Sequence, residues 1–315
     1  MKRAAQGLIA LLLLWLVVRN VDVASLTESL ERLPMTSIMK AVSLFFVACI
    51  LAVAKWRLLW QSATWWQMLN ANFVAQFYSL ALPGQLAGEV VKTLRVGMRF
   101  ADTTNVATSV LVDRATGLLG ILVLAIGGAL VSTNAVAADA VLALNVTVII
   151  ILVVFYLGTR RSVIVVASSG VESIGNRHRW LRVPSRKFIE LLSAWASMMS
   201  KPKTIVAAVC TGIAHQAVCV WINFTIATGL GIDIGVADWC WIFGLVSVAL
   251  LLPITIAGIG VREASYVGLL GIFGVSIEEA VAVSVIVFGI SLIGVLIGGV
   301  LELTHVRRTP RQLSG

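Results

Sequence analysis

Apolar residues in this chain come in long, nearly unbroken runs rather than in the one-faced stripes of a water-soluble fold. A helix crossing a hydrocarbon core ~30 Å thick, at 1.5 Å rise per residue, needs about 20 predominantly apolar residues. Six segments meet or approach that length: residues 4–18, 38–54, 106–131, 140–157, 204–230 and 280–301. Two further apolar stretches, 65–98 and 239–273, are each broken near the middle by Pro and Gly. β-type alternation is weak, which excludes an outer-membrane barrel. The pattern predicts an all-α polytopic membrane protein. The first run follows Lys2-Arg3 and ends before Asn20-Val21-Asp22-Val23-Ala24. That is also the outline of a cleaved signal peptide, but a retained first helix is the default reading.

Composition sharpens the picture. Of 315 residues, 59% are apolar and 12% charged, against about 45–50% and about 25% in a soluble domain. The cysteines (Cys49, Cys210, Cys219, Cys240) all lie inside apolar runs, without the spacing of a redox pair or zinc site. The histidines, His178, His215 and His305, are scattered. No metal or other cofactor is expected.

The net charge of +9 raises nucleic acid as a partner, and the placement of the bases argues against it. Nineteen of the 24 Lys and Arg residues fall on one side of the predicted spans: at the N-terminus, at 55/57, at 92/95/99, in the loop 158–203 and in the tail. Only Arg19, Arg32 and Lys40 fall on the other side. Cytoplasmic loops carry the excess of Lys and Arg, so both termini are expected in the cytoplasm, with Val136 and Gly235 outside and Arg177 inside.

The same count places the bases before and after 65–98 on one side, so that stretch must enter and return. The loops flanking 239–273 demand the same from the opposite face. Two re-entrant hairpins follow, and irregular backbone at membrane depth persists only where protein shields it or a wet cavity meets it. Their tips read alike: Leu82-Pro83-Gly84-Gln85-Leu86-Ala87-Gly88 and Leu252-Pro253-Ile254-Thr255-Ile256-Ala257-Gly258 share L-P-x-x-x-A-G at an offset of 170 residues. Lys92 and Arg262 each stand nine residues after their proline. Each tip also lies between two spanning segments. The chain therefore reads as one transmembrane domain, 1–315, with repeat halves at about 38–131 and 204–301 in inverted topology and a basic cytoplasmic loop at 158–203. Broken helices at matching places in two halves point to a transporter's substrate site. Pro83, Gly84, Gly88 and Pro253 are the expected hinge and tip residues.

Six charges fall within or at the edges of apolar segments: Glu89, Lys92, Asp113, Arg114, Arg262 and Glu263. Each costs ~2.5–3.5 kcal/mol at mid-bilayer, so such residues usually face a bundle interior. The bases Lys92, Arg114 and Arg262 are expected to receive an anionic group, while Glu89, Asp113 and Glu263 orient them or couple transport to protons. Glu89/Lys92 also fits a simple i, i+3 pair at the interface. Asp113 and Arg114 point about 100° apart on a helix and need partners elsewhere. Asp113 with Arg262, then Lys92 with Glu263, are the expected pairs across the repeat boundary. Gly258 and Gly260 give the returning arm a Gly-rich start, where free N–H groups beside Arg262 make an anion site. Asn70, Asn72, Gln76 and Ser79 either line the cavity or bond between helices. His215, Gln216 and Asn223 read as interhelical hydrogen-bonding groups. Trp56, Trp60, Trp65 and Trp66 read as an interfacial belt. Phe188, Leu191, Leu192, Trp195 and Met199 suggest a helix lying on the inner leaflet.

At these residues the chain resembles the transmembrane region of the lysylphosphatidylglycerol synthase/flippase family. The resemblance runs through Asn72-Phe73, Leu82-Pro83-Gly84, Gly88-Glu89, Lys92 and Asp113-Arg114. It is most specific at residues 252–263, from Leu252-Pro253 through Gly258-Ile259-Gly260-Val261-Arg262-Glu263. Relatives more usually carry Arg where Lys92 stands and Glu where Asp113 stands; both changes keep the charge. The resemblance implies a lipid flippase of the bacterial cytoplasmic (inner) membrane, moving anionic phosphate-containing lipids between leaflets, with aminoacylated and polyprenyl-linked lipids among the candidates. No soluble aminoacyltransferase domain is expected after Leu301, so lipid synthesis is not expected of this chain. Its expected partners are membrane lipids and, by the same resemblance, a lipid-synthesis enzyme. The alternatives are a membrane transferase acting on a lipid phosphate and a non-catalytic membrane subunit. The transferase reading lacks a metal cluster and a phosphate loop.

Overall fold

The computed structural model describes residues 23–81, 87–132, 168–169, 171, 182–251 and 258–306. The expected spans at 4–18 and 140–157, the tip residues Pro83, Gly84 and Pro253, and most of the basic loop lie outside the described residues. Those described form an all-α fold of ten helices. They are α1 (Val23–Arg32), α2 (Met35–Leu59), α3 (Trp65–Ala81), α4 (Ala87–Arg99), α5 (Thr103–Val131), α6 (Arg182–Met199), α7 (Pro202–Gly229), α8 (Val236–Leu251), α9 (Val261–Gly271) and α10 (Ile277–Val306).

Four of them, α2, α5, α7 and α10, are long and apolar enough to cross a membrane, at 25, 29, 28 and 30 residues. They coincide with four of the expected spans. Between them stand two helical hairpins whose arms are shorter: 17 and 13 residues in α3–α4, 16 and 11 in α8–α9. No arm reaches the roughly 20 residues that a full crossing requires. Each hairpin folds back to where it began. Phe100, just after α4, meets Trp60, just before α3, with ring centroids 5.1 Å apart. Phe273, just after α9, meets Trp241 near the start of α8 at 5.9 Å.

The order long, short, short, long occurs twice, as α2–α5 and as α7–α10. The packing follows the same correspondence. Helix α5 packs on α8 as α10 packs on α3, α4 on α5 as α9 on α10, and the two leading helices α2 and α7 pack on each other. Each hairpin is thus clamped between the closing helix of its own unit and that of the other.

These clamps rely on small residues, because lipid tails provide no hydrophobic drive for helix association. A Cβ added at Gly298 on α10 would stand 2.0 Å from the Phe73 carbonyl oxygen on α3, and one at Gly88 2.0 Å from the Ala75 carbonyl oxygen. Gly120 on α5 faces Gly212 on α7, with 2.8 Å left for an added Cβ. Gly298→Ala is therefore expected to cost about 1–3 kcal/mol through overpacking, seen as a lower melting temperature of the purified protein. Gly289→Ala on the same helix, where an added methyl meets nothing within 4 Å, should be neutral or slightly stabilising.

Two surface readings are refined. Trp65 and Trp66 are exposed, as a belt requires, but Trp56 and Trp60 are buried. Their indole N–H groups donate to Ser109 Oγ (3.0 Å) and Asp102 Oδ2 (3.2 Å), and partners of that kind let tryptophan enter a core. Helix α6 is docked rather than lying free. Trp195, Met198 and Met199 pack against Leu59, Val112 and Ala208, while Phe188 stays exposed.

Candidate functional site

The charges within and beside the apolar helices sort into two groups, and the division follows from which helices are neighbours. Helix α2 continues to Leu59, a full turn beyond Lys55. The sequence reading set Lys55 in a cytoplasmic loop; instead its side chain is buried against α5. Its ammonium lies 3.3 Å from Asp113 Oδ1 and donates to the Asp113 backbone oxygen at 2.7 Å. Gly117 makes the room, since a Cβ there would come within 2.9 Å of Lys55 Nζ. Asp113 is thus held by Lys55 and not by Arg262, its expected partner.

Glu89 bridges two bases. One carboxylate oxygen pairs with Lys92 on the same helix at 2.7 Å, and the other takes Arg114 of α5. Lys92 is 3% exposed and lies over the Trp56 ring, 4.5 Å from its centroid. The i, i+3 pair anticipated for Glu89 and Lys92 forms, but inside the protein. A base enclosed by a carboxylate and an indole has its charge already answered. Arg114 differs, with 49% of its side chain exposed.

Glu263 forms no ion pair with a base among the described residues. Its Oε2 accepts the Gly260 N–H at 2.6 Å and its Oε1 the Ser284 hydroxyl at 3.1 Å. It caps the first turn of α9, where a carboxylate also suits the helix dipole. The turn into α9 needs Gly258 and Gly260, whose φ angles of +76° and +85° are left-handed. That cap leaves Arg262, one residue earlier, without its sequence neighbour as a partner.

Arg262 makes no ion pair among the described residues, and its buried Nη1 has no hydrogen-bond partner. The guanidinium lies over Phe288 of α10, 4.8 Å from the ring centroid. It faces a cavity of about 310 Å³ lined by Gln76, Ser79 and Leu80 from α3, Leu250 from α8, and Phe288, Ser291 and Val295 from α10. Both hairpins therefore contribute to one cavity, each from the end of its arm nearest the tip. Gln76 and Ser79, left open by sequence between lining and bonding, line it, and Gln76 also donates from Nε2 to Cys49 Sγ of α2 at 3.8 Å. Lys92, Arg114, Glu89 and Asp113 do not.

Over residues 3–299 the chain matches the family described as Lysylphosphatidylglycerol synthase TM region. The chain belongs to this family. No curated protein and no solved structure matches it. Within this synthase-TM-region protein, the resemblance motifs fall into distinct jobs. Gly88 lets the arms of the first hairpin approach, Glu89, Lys92, Asp113 and Arg114 tie α4 and α2 to α5, and Arg262 makes no ion pair among the described residues.

A second cavity, about 320 Å³, opens at the wide end of the first hairpin, between Trp56, Trp66, Gln67, Asn70, Arg95 and Arg99. Arg95 there pairs with Glu302 of α10, which also accepts the Tyr78 hydroxyl at 3.2 Å. Lys55, Phe288, Ser291 and Glu302 were missed by sequence reasoning. Glu302 alone carried a signal, as an acid in the last turns of an otherwise apolar span. Tyr266 donates its hydroxyl to Asn223, and Gln216 reaches the Gly117 oxygen at 3.2 Å, so two of the three expected interhelical groups do bond between helices. No cluster of three or more metal-ligating side chains occurs among the described residues.

Proposed function

We propose that this multi-pass membrane protein is a lipid flippase that binds the phosphate of an anionic lipid at Arg262 and carries it between leaflets of the cytoplasmic membrane. One observation carries the reading: an unpaired guanidinium facing a cavity that both hairpins build. A half-buried cation with a buried N–H that nothing accepts is costly, and a ligand that accepts from it offsets that cost. A planar fork suits a phosphate's two oxygens. The membership of a lipid-synthase transmembrane family supports a lipid as the cargo.

In this reading the two four-helix units are inverted repeats, and the hairpins enter from opposite faces. Rocking of one unit against the other about the Arg262 cavity gives alternating access. Glu89, Asp113 and Glu263 serve as scaffold, holding the arms that bear the site.

The test is leaflet exchange. Purified protein in phosphatidylcholine vesicles carrying tail-labelled fluorescent phosphatidylglycerol should expose inner-leaflet label to an impermeant quencher, without nucleotide, faster than empty vesicles do. An unchanged rate refutes flipping, and a covalently altered lipid would favour the transferase. Topology is checked by single cysteines in a background lacking the four native ones. Val136→Cys and Gly235→Cys should react with an impermeant thiol reagent in intact cells, and Arg177→Cys should not. Labelling of position 177 from outside would remove the inverted repeat.

A further inference from the structure

The charge of the Arg262 cavity also restricts which lipid fits. We propose that it selects lipids whose head group carries a phosphate and neutral hydroxyls, and rejects head groups that carry an amine. This rests on the cavity being the substrate site.

The lining offers one cation and no acid. The masking of nearby acids is complete among the described residues at membrane depth. Glu263 is committed to Gly260 and Ser284, Asp113 to Lys55, Glu89 to Lys92 and Arg114, and Glu302 to Arg95 and Tyr78. Residues 82–86 and 252–257 contain neither Asp nor Glu. An amine bound here would find no free carboxylate among the described residues, and would sit close to Arg262 in a medium that screens poorly. The family's description names a lysylated lipid, and this cavity has the wrong charge for the lysyl group.

What the cavity does offer suits a polyol phosphate. Phe288 holds the face of the guanidinium and leaves its N–H edge for oxygen. The Gln76 side-chain oxygen, whose amide nitrogen already donates to Cys49 Sγ, and the Ser79 hydroxyl can meet neutral hydroxyls. A volume of about 310 Å³ lies at the small end of ligand pockets, ~300–1,000 Å³, enough for a phosphate with a short polyol.

The experiment is competition. Fluorescent phosphatidylglycerol bound to the purified full chain in detergent is displaced by unlabelled phosphatidylglycerol, lysylphosphatidylglycerol or phosphatidylethanolamine. Phosphatidylglycerol should displace at a concentration at least about tenfold lower than either amine-bearing lipid. Gln76→Glu, nearly isosteric, and independently Ser291→Asp place an acid in the cavity and should narrow or reverse that preference. Equal or better displacement by lysylphosphatidylglycerol, no binding of phosphatidylglycerol, or an unmoved preference in both acid variants would overturn the proposal. Exchange in vesicles keeps it apart from the flippase reading. Fast but unselective exchange defeats selectivity and leaves flipping intact, whereas selective binding without exchange does the reverse.

Discussion

Arg262→Ala is expected to accumulate in the membrane at normal levels, to melt no lower than the unaltered protein, and to lose lipid exchange by roughly 10- to 100-fold. The two halves of that expectation have one cause. A charge-assisted hydrogen bond to a charged group contributes about 1.5–3 kcal/mol, or one to two powers of ten in rate if formed as the lipid passes. Yet Arg262 has no ionic partner among the described residues to be orphaned by its removal, so the fold loses a desolvated cation and gains apolar space. Arg262→Lys should recover little. An ammonium keeps the charge but cannot fork onto two oxygens or lie flat on Phe288. The checks are exchange of tail-labelled phosphatidylglycerol and the melting temperature of the same preparations. Full activity in the lysine variant would reduce Arg262 to a point charge. A loss of stability matching the loss of exchange would make it a structural residue.

The helices were legible because membrane depth imposes a length on them, and four of the runs reappear as α2, α5, α7 and α10. Their ends were less so. The run at 38–54 stops in the sequence where Lys55 and Arg57 begin, but the helix does not stop there, since Lys55 finds Asp113 across the bundle. A base at the end of an apolar run reads the same whether it reaches for water or for a buried carboxylate. The two pairs of shorter helices were legible for a different reason, since Pro and Gly interrupt the apolar runs at 65–98 and 239–273; the face from which each pair enters rests on the sidedness of Lys and Arg alone. Pairing was the least legible. Equivalence of the repeats suggested that Lys92 and Arg262 do equivalent work, yet Lys92 has Glu89 one turn before it and Trp56 beside it, while Arg262 is followed by a Glu that the helix cap consumes. Gly260-x-x-Glu263 carried a capping signal that was read as a counter-charge. Tryptophan was misplaced in the same way, because Trp56 and Trp65 lie nine residues apart in one aromatic cluster and only tertiary partners separate core from belt.

The largest loss of stability is expected at the buried pair of Lys55 and Asp113, when either partner is removed alone. Taking two opposite charges out of water is costly, and their attraction roughly offsets that cost. Removing one leaves the other buried and unanswered, at about 3–5 kcal/mol. Asp113→Asn keeps the backbone oxygen that also accepts from Lys55 at 2.7 Å, which places it toward the lower end of that range. Lys55→Met strands the carboxylate beside α2 and should cost at least as much. The double variant removes both charges and puts an apolar chain of similar length against Gly117, so it should be more stable than either single variant. A double-mutant cycle isolates that coupling, scored by melting temperature and membrane abundance. The parallel cycle of Asp113→Asn with Arg262→Gln should be additive, because Asp113 does not reach the cavity that Arg262 faces. Coupling in the second cycle and additivity in the first would restore the pairing across the repeat boundary and bring Asp113 into the binding site. The opposite result leaves Asp113 holding α2 to α5 and Arg262 free to meet a phosphate.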